Sequence, residues 1–428
     1  MDKLLIEGGA PLSGSVRVSG AKNAALPLMA AAILADGPLT LTNIPRLGDL
    51  RTMGRLLGHM GGRVGLYPEE AGGYREEAVL DMSGLARPEA PHDLVKTMRA
   101  SALVLGPLLA RHGQARVSLP GGCAIGVRPI DLHLRALAAM GAEFDLSGGD
   151  IMARAPRGGL AGADIRFETV TVTGTENVMM AAVLAKGRTI IRNAAREPEV
   201  SDTARALVAM GAKIGGIDGD ELSIEGVDVL RSASHAVMPD RIEAGTLLAA
   251  VAMAGGKATI RGARLNDLAV VLGKFTEAGV LLRAQNGDLT VESEPGALSA
   301  VNVSTSPYPG FPTDMQAQFL AMMATARGAS IITETIFENR FMHVAELRRL
   351  GADVTLEGRT AVVKGVGRLS GAPMTASDLR ASACLILAAL AATGSSEVSR
   401  VYHLDRGYDR LDLKLAGLGA RISRVKDD

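Results

Sequence analysis

Tryptophan is absent from this chain of 428 residues, and Phe and Tyr bring the aromatic share to only 3%. That removes the stacking platforms on which binders of single-stranded nucleic acid rely. An excess of either charge is missing too, because 46 Lys and Arg balance 46 Asp and Glu. A protein without a net positive field has no general affinity for nucleic acid or anionic membranes, so any anion it binds must be met locally. Cysteine is scarce: Cys123 and Cys384 allow at most one bridge, which excludes a disulfide framework and makes a reducing cytoplasm the expected compartment. Long apolar runs are lacking as well. Ala24 to Ala35 and Leu103 to Ala110 fall short of the roughly 18 residues needed to span a bilayer and are predicted to be buried helices. The first residues reach Glu7 and Gly8 before a signal-peptide run can develop, so export is not expected. Several familiar catalytic patterns do not occur: no Gly-Lys-Ser/Thr phosphate loop, no Gly-x-Ser-x-Gly elbow, no Cys/His spacing that would hold zinc. Triad hydrolysis, P-loop phosphoryl transfer and a metal site all lose their support.

Apolar residues are plentiful at 47%, and the length exceeds one ordinary core, so two domains are expected. A repeat runs through the chain. An apolar helix, a Gly and a β-branched strand recur six times, marked by Gly37, Gly113, Gly187, Gly256, Gly328 and Gly394, which lie 66 to 76 residues apart by subtraction. A second set keeps step with it: Gly61, Gly141, Gly211, Gly279, Gly351 and Gly419. Both sets predict a left-handed residue where a helix stops and a strand begins. The reading is six α/β units of about 70 residues, too small to be comfortable alone and therefore packed in two groups of three. The polar stretch Arg231 to Pro239 is the expected seam between the groups, and the N-terminal strand could join either.

The chemistry is concentrated in three places. Leu119-Pro-Gly-Gly-Cys-Ala-Ile-Gly-Val-Arg-Pro-Ile-Asp-Leu-His133 has too much Gly and Pro for a regular element, so it reads as a loop whose N–H groups can meet a ligand. Within it Arg128 would favour the Cys123 thiolate, whereas Cys384, in an Ala/Leu run, reads as core. Next come basic residues beside Gly, Asn, Ser or Asp: Lys22, Arg99, Arg128, Arg340, Arg380 and Arg406. Guanidinium forks match carboxylate and phosphate oxygens, so convergence of several would trap an anion. Third is Gly310-Phe-Pro-Thr-Asp-Met-Gln-Ala-Gln318, where Asp314 falls in the first turn of a helix. Its carboxylate is either a helix-dipole partner or a general base toward a hydroxyl.

Taken together, Ser-Gly-Ala-Lys22-Asn23-Ala, Pro-Gly-Gly-Cys123-Ala-Ile-Gly-x-Arg128-Pro-x-Asp131-Leu-His, Phe-Pro-Thr-Asp314-Met-Gln-Ala-Gln, Glu-Asn-Arg340-Phe-Met-His and His-x-Asp-Arg406-Gly-Tyr resemble the UDP-N-acetylglucosamine 1-carboxyvinyltransferases of the enolpyruvyl transferase family. The likeness spans essentially the whole chain, with the motifs in the family's order. It implies an α/β fold of two inside-out α/β barrel domains, each of three repeated α/β units, that close on each other when substrate binds. Residues 22–237 would form the first domain, carrying the Cys123 loop. The second would combine 1–21 with 238–428.

The implied activity is transfer of enolpyruvyl from phosphoenolpyruvate to the 3′-hydroxyl of UDP-N-acetylglucosamine, releasing phosphate, with no metal or organic cofactor. By matching position, Lys22, Arg128 and Arg406 would hold phosphoenolpyruvate, and Arg340 and Arg380 would complete the cationic site, with Asp378 beside them. Asn23, Arg99, Pro129, Ile130, Asp131, Leu132, Asp314 and Ile336 would line the sugar nucleotide site, together with Val170, Thr171, Val172 and Thr173. Cys123 would act as proton donor and could form a covalent adduct with phosphoenolpyruvate. One departure touches this set: the family's Ser-Val-Gly-Ala-Thr-Glu-Asn reads Thr171-Val-Thr-Gly-Thr-Glu-Asn177 here, with the Gly displaced by one. The nearest enzymatic alternative is the sister enolpyruvyl transferase of aromatic amino-acid synthesis, against which the Cys123 loop argues. A six-unit scaffold would need only the repeat.

Overall fold

The computed structural model describes residues 2–66, 77–96, 98–119 and 130–426, so Cys123, Arg128 and Pro129 lie outside the described residues. The described residues form two compact units, one of those between 20 and 238, the other of residues 2–19 and 239–426. Each contains three of the six four-stranded sheets found among the described residues. All six follow one plan: a parallel pair, then two antiparallel neighbours.

Three sheets are completed by strands far away in sequence. Asp2–Glu7 lies between Ser395–Ser399 and Arg421–Lys426, pairing Leu4 with both Val398 and Arg424. Leu12–Arg17 runs parallel to Gly256–Arg261. The polar stretch expected to be the seam does end where the units divide, between Met238 and Pro239, but most of it is a strand, Leu230–Ala236, parallel to Ala35–Thr42. Its Ser, Ala and His side chains hid it, because a sheet-edge strand needs ladder hydrogen bonds more than apolar faces.

Five of the six repeats contribute a helix that is buried nearly all round. All fourteen residues of Arg241–Ala254 and all eight of Gln316–Met323 are buried, as are nine of the ten in Lys22–Ala31. A helix apolar on every side belongs inside a core rather than on a surface. Leu379–Ala391 packs against both Arg241–Ala254 and Gln316–Met323, with Phe319 edge-on to Phe275 and Phe311 at ring distances of 5.9 and 5.3 Å. Cys384 is fully buried in that group, as expected. Ala24 to Leu34 and Leu105 to Leu109 are likewise buried and helical.

The glycine markers carry the turns. In the second set φ runs from +91° to +109°, where a side chain is strained. The first set is also left-handed, with φ from +70° to +116°. Gly37 nevertheless sits inside a strand rather than at a helix end, whereas Gly256 opens its strand directly after the C-cap Gly255 of the helix Arg241–Ala254. At Gly37 the ladder steps from Asp36 opposite Arg231 to Leu39 opposite Ala233, a bulge in which a Cβ on Gly37 would meet Ser232 Oγ at 2.3 Å.

One buried acid gives this fold a pH signature. Glu243 is 2% exposed, accepts from the Ser19 N–H at 3.2 Å, and is hydrogen-bonded to Lys414, whose ammonium also reaches Ser19 Oγ at 2.6 Å. Burial pushes the Glu243 carboxyl up from 4.5 to about 7, although Lys414 pulls the other way. A raised folded-state value means the folded protein binds the extra proton, so this stabilisation is complete below 4.5 and is lost as pH rises through about 7. Glu243→Gln should flatten that loss. Urea unfolding at the two ends of the window should show a smaller decline for the variant than for the parent, and an equal decline would refute the assignment.

Candidate active site

Pro312 holds the chain extended and leads into the tight turn Thr313–Met315, which feeds the buried helix Gln316–Met323. Asp314 sits in this turn with its side chain a quarter exposed, where two buried arginines meet it. Arg340 Nη2 lies 2.6 Å from Asp314 Oδ1, and Arg380 Nη2 lies 2.9 Å from Oδ2. Each carboxylate oxygen therefore has its own guanidinium. Burial works to raise the Asp314 carboxyl, but Arg380 and Arg340 outweigh it and hold it well below the usual carboxylate range.

Both arginines are placed by short-range chemistry. Arg380 is the second residue of the helix Leu379–Ala391, whose N-cap Asp378 accepts at Oδ1 from the N–H groups of Arg380 and Ala381, both at 2.9 Å. Its guanidinium lies 5.1 Å from the Tyr408 ring, and among the described residues no acceptor reaches its buried Nε or Nη1. Donors of that kind suit an anion. Tyr408 is fixed in turn, its hydroxyl 2.9 Å from Thr246 Oγ1 and 3.1 Å from Gln318 Nε2, which also donates to the Asp314 carbonyl at 2.9 Å. Arg340 donates from Nη1 to Thr313 Oγ1 at 2.7 Å and lies 5.2 Å from the Phe337 ring.

The remaining expected residues fall into separate groups. Arg406 closes the turn Val401–Arg406 and is partly buried. Ile336 is partly buried and donates its N–H to Glu334 Oε1 at 2.8 Å. In the other unit Lys22 is the first residue of its helix and forms a 2.6 Å ion pair with Asp49, the two side chains being 9% and 7% exposed, and Asn23 beside it is exposed. Arg99 opens the turn Arg99–Val104. Ile130 caps the helix Asp131–Ala139, where Asp131 is ion-paired to Arg135 and Leu132 is partly buried.

The displaced glycine has a local cause. Thr171, next to Val170, caps the helix Val172–Ala182 by accepting from the Gly174 N–H at 3.2 Å. A Cβ on Gly174 would sit 2.4 Å from Thr171 Cγ2. Position 174 must therefore be small once Thr is the cap. Thr173 Oγ1 is 3.3 Å from His133 Nε2, and the Asn177 amide donates to His133 Nδ1 at 3.0 Å. Burial lowers the His133 imidazole to about 4, so it is neutral and donates from Nε2 to Thr173.

A family model described as EPSP synthase (3-phosphoshikimate 1-carboxyvinyltransferase) matches residues 6–415. The chain belongs to the enolpyruvyl transferase family. Among similar enolpyruvyl transferases are the UDP-N-acetylglucosamine 1-carboxyvinyltransferases of Anaeromyxobacter sp. (strain K), Myxococcus xanthus and Rhodospirillum centenum, at 59%, 55% and 53% identity over the full length of both chains. Solved enolpyruvyl transferases agree in fold. The enolpyruvyl transferase NikO from Streptomyces tendae superposes with a TM-score of 0.89 at 26% identity, covering 100% of this chain and 99% of that one. EPSP synthase from Acinetobacter baumannii gives 0.75 at 17% identity with both chains fully covered. The six-unit α/β plan expected from the glycines is thus the enolpyruvyl transferase fold.

Several site residues were not singled out from sequence. Asp49 reads as an ordinary first-turn acid of the helix Gly48–His59, yet it pairs with Lys22. Thr313 and Tyr408 carried no separate signal either. A Thr between Pro and Asp at a helix start is a weak cue that its hydroxyl will be used by a neighbour.

Proposed function

We propose that this enolpyruvyl transferase moves the enolpyruvyl group of phosphoenolpyruvate to the 3′-hydroxyl of UDP-N-acetylglucosamine, releasing phosphate, as the first committed step of peptidoglycan synthesis in the cytoplasm. The observation that carries the chemistry is the Asp314 carboxylate held between Arg340 and Arg380. The identity of the acceptor rests on the full-length relatives of one name. The two units act as the two transferase domains.

The reaction runs by addition and elimination. The 3′-oxygen bonds to C2 of phosphoenolpyruvate and loses its proton, while the methylene carbon gains one. In the second half the new methyl group returns a proton, the C2–O bond to phosphate breaks, and the enol ether forms. Cys123 supplies the proton to the methylene carbon and can also form the covalent adduct, and Asp314 takes the hydroxyl proton. Between the halves C2 carries a carboxylate and a phosphate, so cations are needed to stabilise it. Lys22, Arg128 and Arg406 hold phosphoenolpyruvate, with Asp378 at the site, and Arg340 and Arg380 add to the positive field. The sugar nucleotide lies against Asn23, Arg99, Pro129 to Leu132, Val170 to Thr173, Asp314 and Ile336.

A carboxylate held far below its usual range is a weak base. Phosphate oxygens compete for Arg340 and Arg380, and drawing those cations away from Asp314 raises its basicity, which ties activation of the base to occupancy by the anionic reactant.

Phosphate release tests the reading. Given phosphoenolpyruvate and one acceptor at a time, the protein should release phosphate with UDP-N-acetylglucosamine; release with shikimate 3-phosphate alone would overturn it. For the acid, Cys123→Ala should slow turnover about 10²- to 10⁴-fold, and Cys123→Asp should retain more activity than Ala because it too can donate a proton. Unchanged turnover of the Ala variant would remove Cys123 from that role.

A further inference from the structure

Glu334 is the first residue after the strand Ala329–Thr333 and is fully buried. Its carboxylate meets four donors. Oε1 accepts from Thr305 Oγ1 at 2.9 Å and from the N–H groups of Ile336 at 2.8 Å and Phe337 at 3.1 Å. Oε2 accepts from Thr313 Oγ1 at 2.8 Å. The backbone of Glu334 is fixed as well, its N–H donating to the Arg359 carbonyl and its own carbonyl accepting from Arg359 Nε, both at 2.8 Å.

The two carboxylate oxygens face different parts of the site. Oε1 shapes the turn that presents Ile336. Oε2 accepts the hydrogen bond of the Thr313 hydroxyl, which aims a Thr313 lone pair at Arg340 Nη1, 2.7 Å away. The same guanidinium reaches Asp314 Oδ1 through Nη2. A hydroxyl that donates to a fixed acceptor loses its rotational choice, and hydrogen bonds in such a chain polarise one another.

We infer that Glu334 is a positioning residue for this reaction: through Thr313 it orients Arg340 on Asp314, and through the Ile336 turn it sets the sugar nucleotide contact. The inference rests on the function proposed above. A carboxylate is required because all four partners donate. Gln in its place can keep its oxygen on the three Oε1 donors, but its NH₂ then faces Thr313, whose hydroxyl no longer has an acceptor there.

Steady-state kinetics on the full-length enzyme separate the two arms. Glu334→Gln should lower kcat about ten- to hundredfold, the loss expected for a disturbed hydrogen bond to a charged group, with little change in KM for UDP-N-acetylglucosamine. Thr313→Val leaves the other three donors on Glu334 and should lower kcat by a similar factor. The double variant should be no slower than the slower single one, since both act through one contact. Glu334→Ala should also raise KM for the sugar nucleotide. If that variant fails to fold, Thr313→Val and the double variant still decide. Wild-type kcat in Glu334→Gln, or losses that multiply in the double variant, would overturn the inference while the parent enzyme remains active. A parent enzyme silent with UDP-N-acetylglucosamine would overturn the functional reading and this inference together.

Discussion

Asp314→Asn is expected to cut kcat about 10²- to 10⁴-fold, the range for removing a general base, and to do so by more than it raises either KM. Asn has nearly the shape of Asp, so the turn Thr313–Met315 survives, but the amide takes no proton at working pH. It also leaves Arg340 and Arg380, 6% and 3% exposed, without the charge that both now share. Losing one partner of a buried ion pair destabilises by about 3–5 kcal/mol, so thermal unfolding should be followed alongside kinetics. Asp314 keeps its charge by virtue of those arginines, and its contribution to stability is present above the ordinary carboxylate range and lost only as pH falls through its depressed value. The Asn variant should therefore lose less stability on acidification than the parent. Turnover at the parental rate would take Asp314 out of the chemistry and leave it a structural anchor for two arginines.

Lys22 gives the second large effect, and its two roles can be pulled apart. Lys22→Ala removes the cation 2.6 Å from Asp49 and should destabilise its unit by about 3–5 kcal/mol. It should also nearly abolish turnover, because a cation proposed to hold phosphoenolpyruvate is gone. Adding Asp49→Asn discharges the buried carboxylate and should recover much of the stability. It should recover none of the activity. Urea unfolding and steady-state kinetics on the three variants distinguish the outcomes, and activity returning with stability would show that Lys22 serves the fold alone.

The fold was legible where backbone chemistry leaves a mark in residue type. A left-handed turn at a helix end selects Gly, so Gly61, Gly141, Gly211, Gly279, Gly351 and Gly419 betray six copies of one unit even where the rest of each copy has diverged. Helices buried all round betray themselves by a lack of charge, as in Ala24 to Leu34. What could not be read was long-range pairing. Nothing local in Asp2–Glu7 says that it lies between Ser395–Ser399 and Arg421–Lys426, and Leu230–Ala236 pairs through its backbone, which every residue possesses.

The site divides along the same line. Asp314, Arg340 and Arg380 stood out because acids and cations beside turn residues are conspicuous, and the structure brings these three together. Glu334 and Asp49 did not, because a carboxylate gives no sign in sequence of which donors will find it. Gly174 lies between the cases: its displacement is visible in the sequence, but its cause, the Thr171 side chain in the space a Cβ would fill, is a contact made only in the fold.

The most direct measurement is the identity of the product. Phosphoenolpyruvate and UDP-N-acetylglucosamine should be incubated with the purified protein and the mixture followed by proton and phosphorus NMR. The account predicts vinylidene protons of an enol ether on the 3′-oxygen of the sugar, appearing in step with an equal amount of inorganic phosphate. An enol ether on another hydroxyl, phosphate without an enol ether, or turnover that requires shikimate 3-phosphate as acceptor would contradict it.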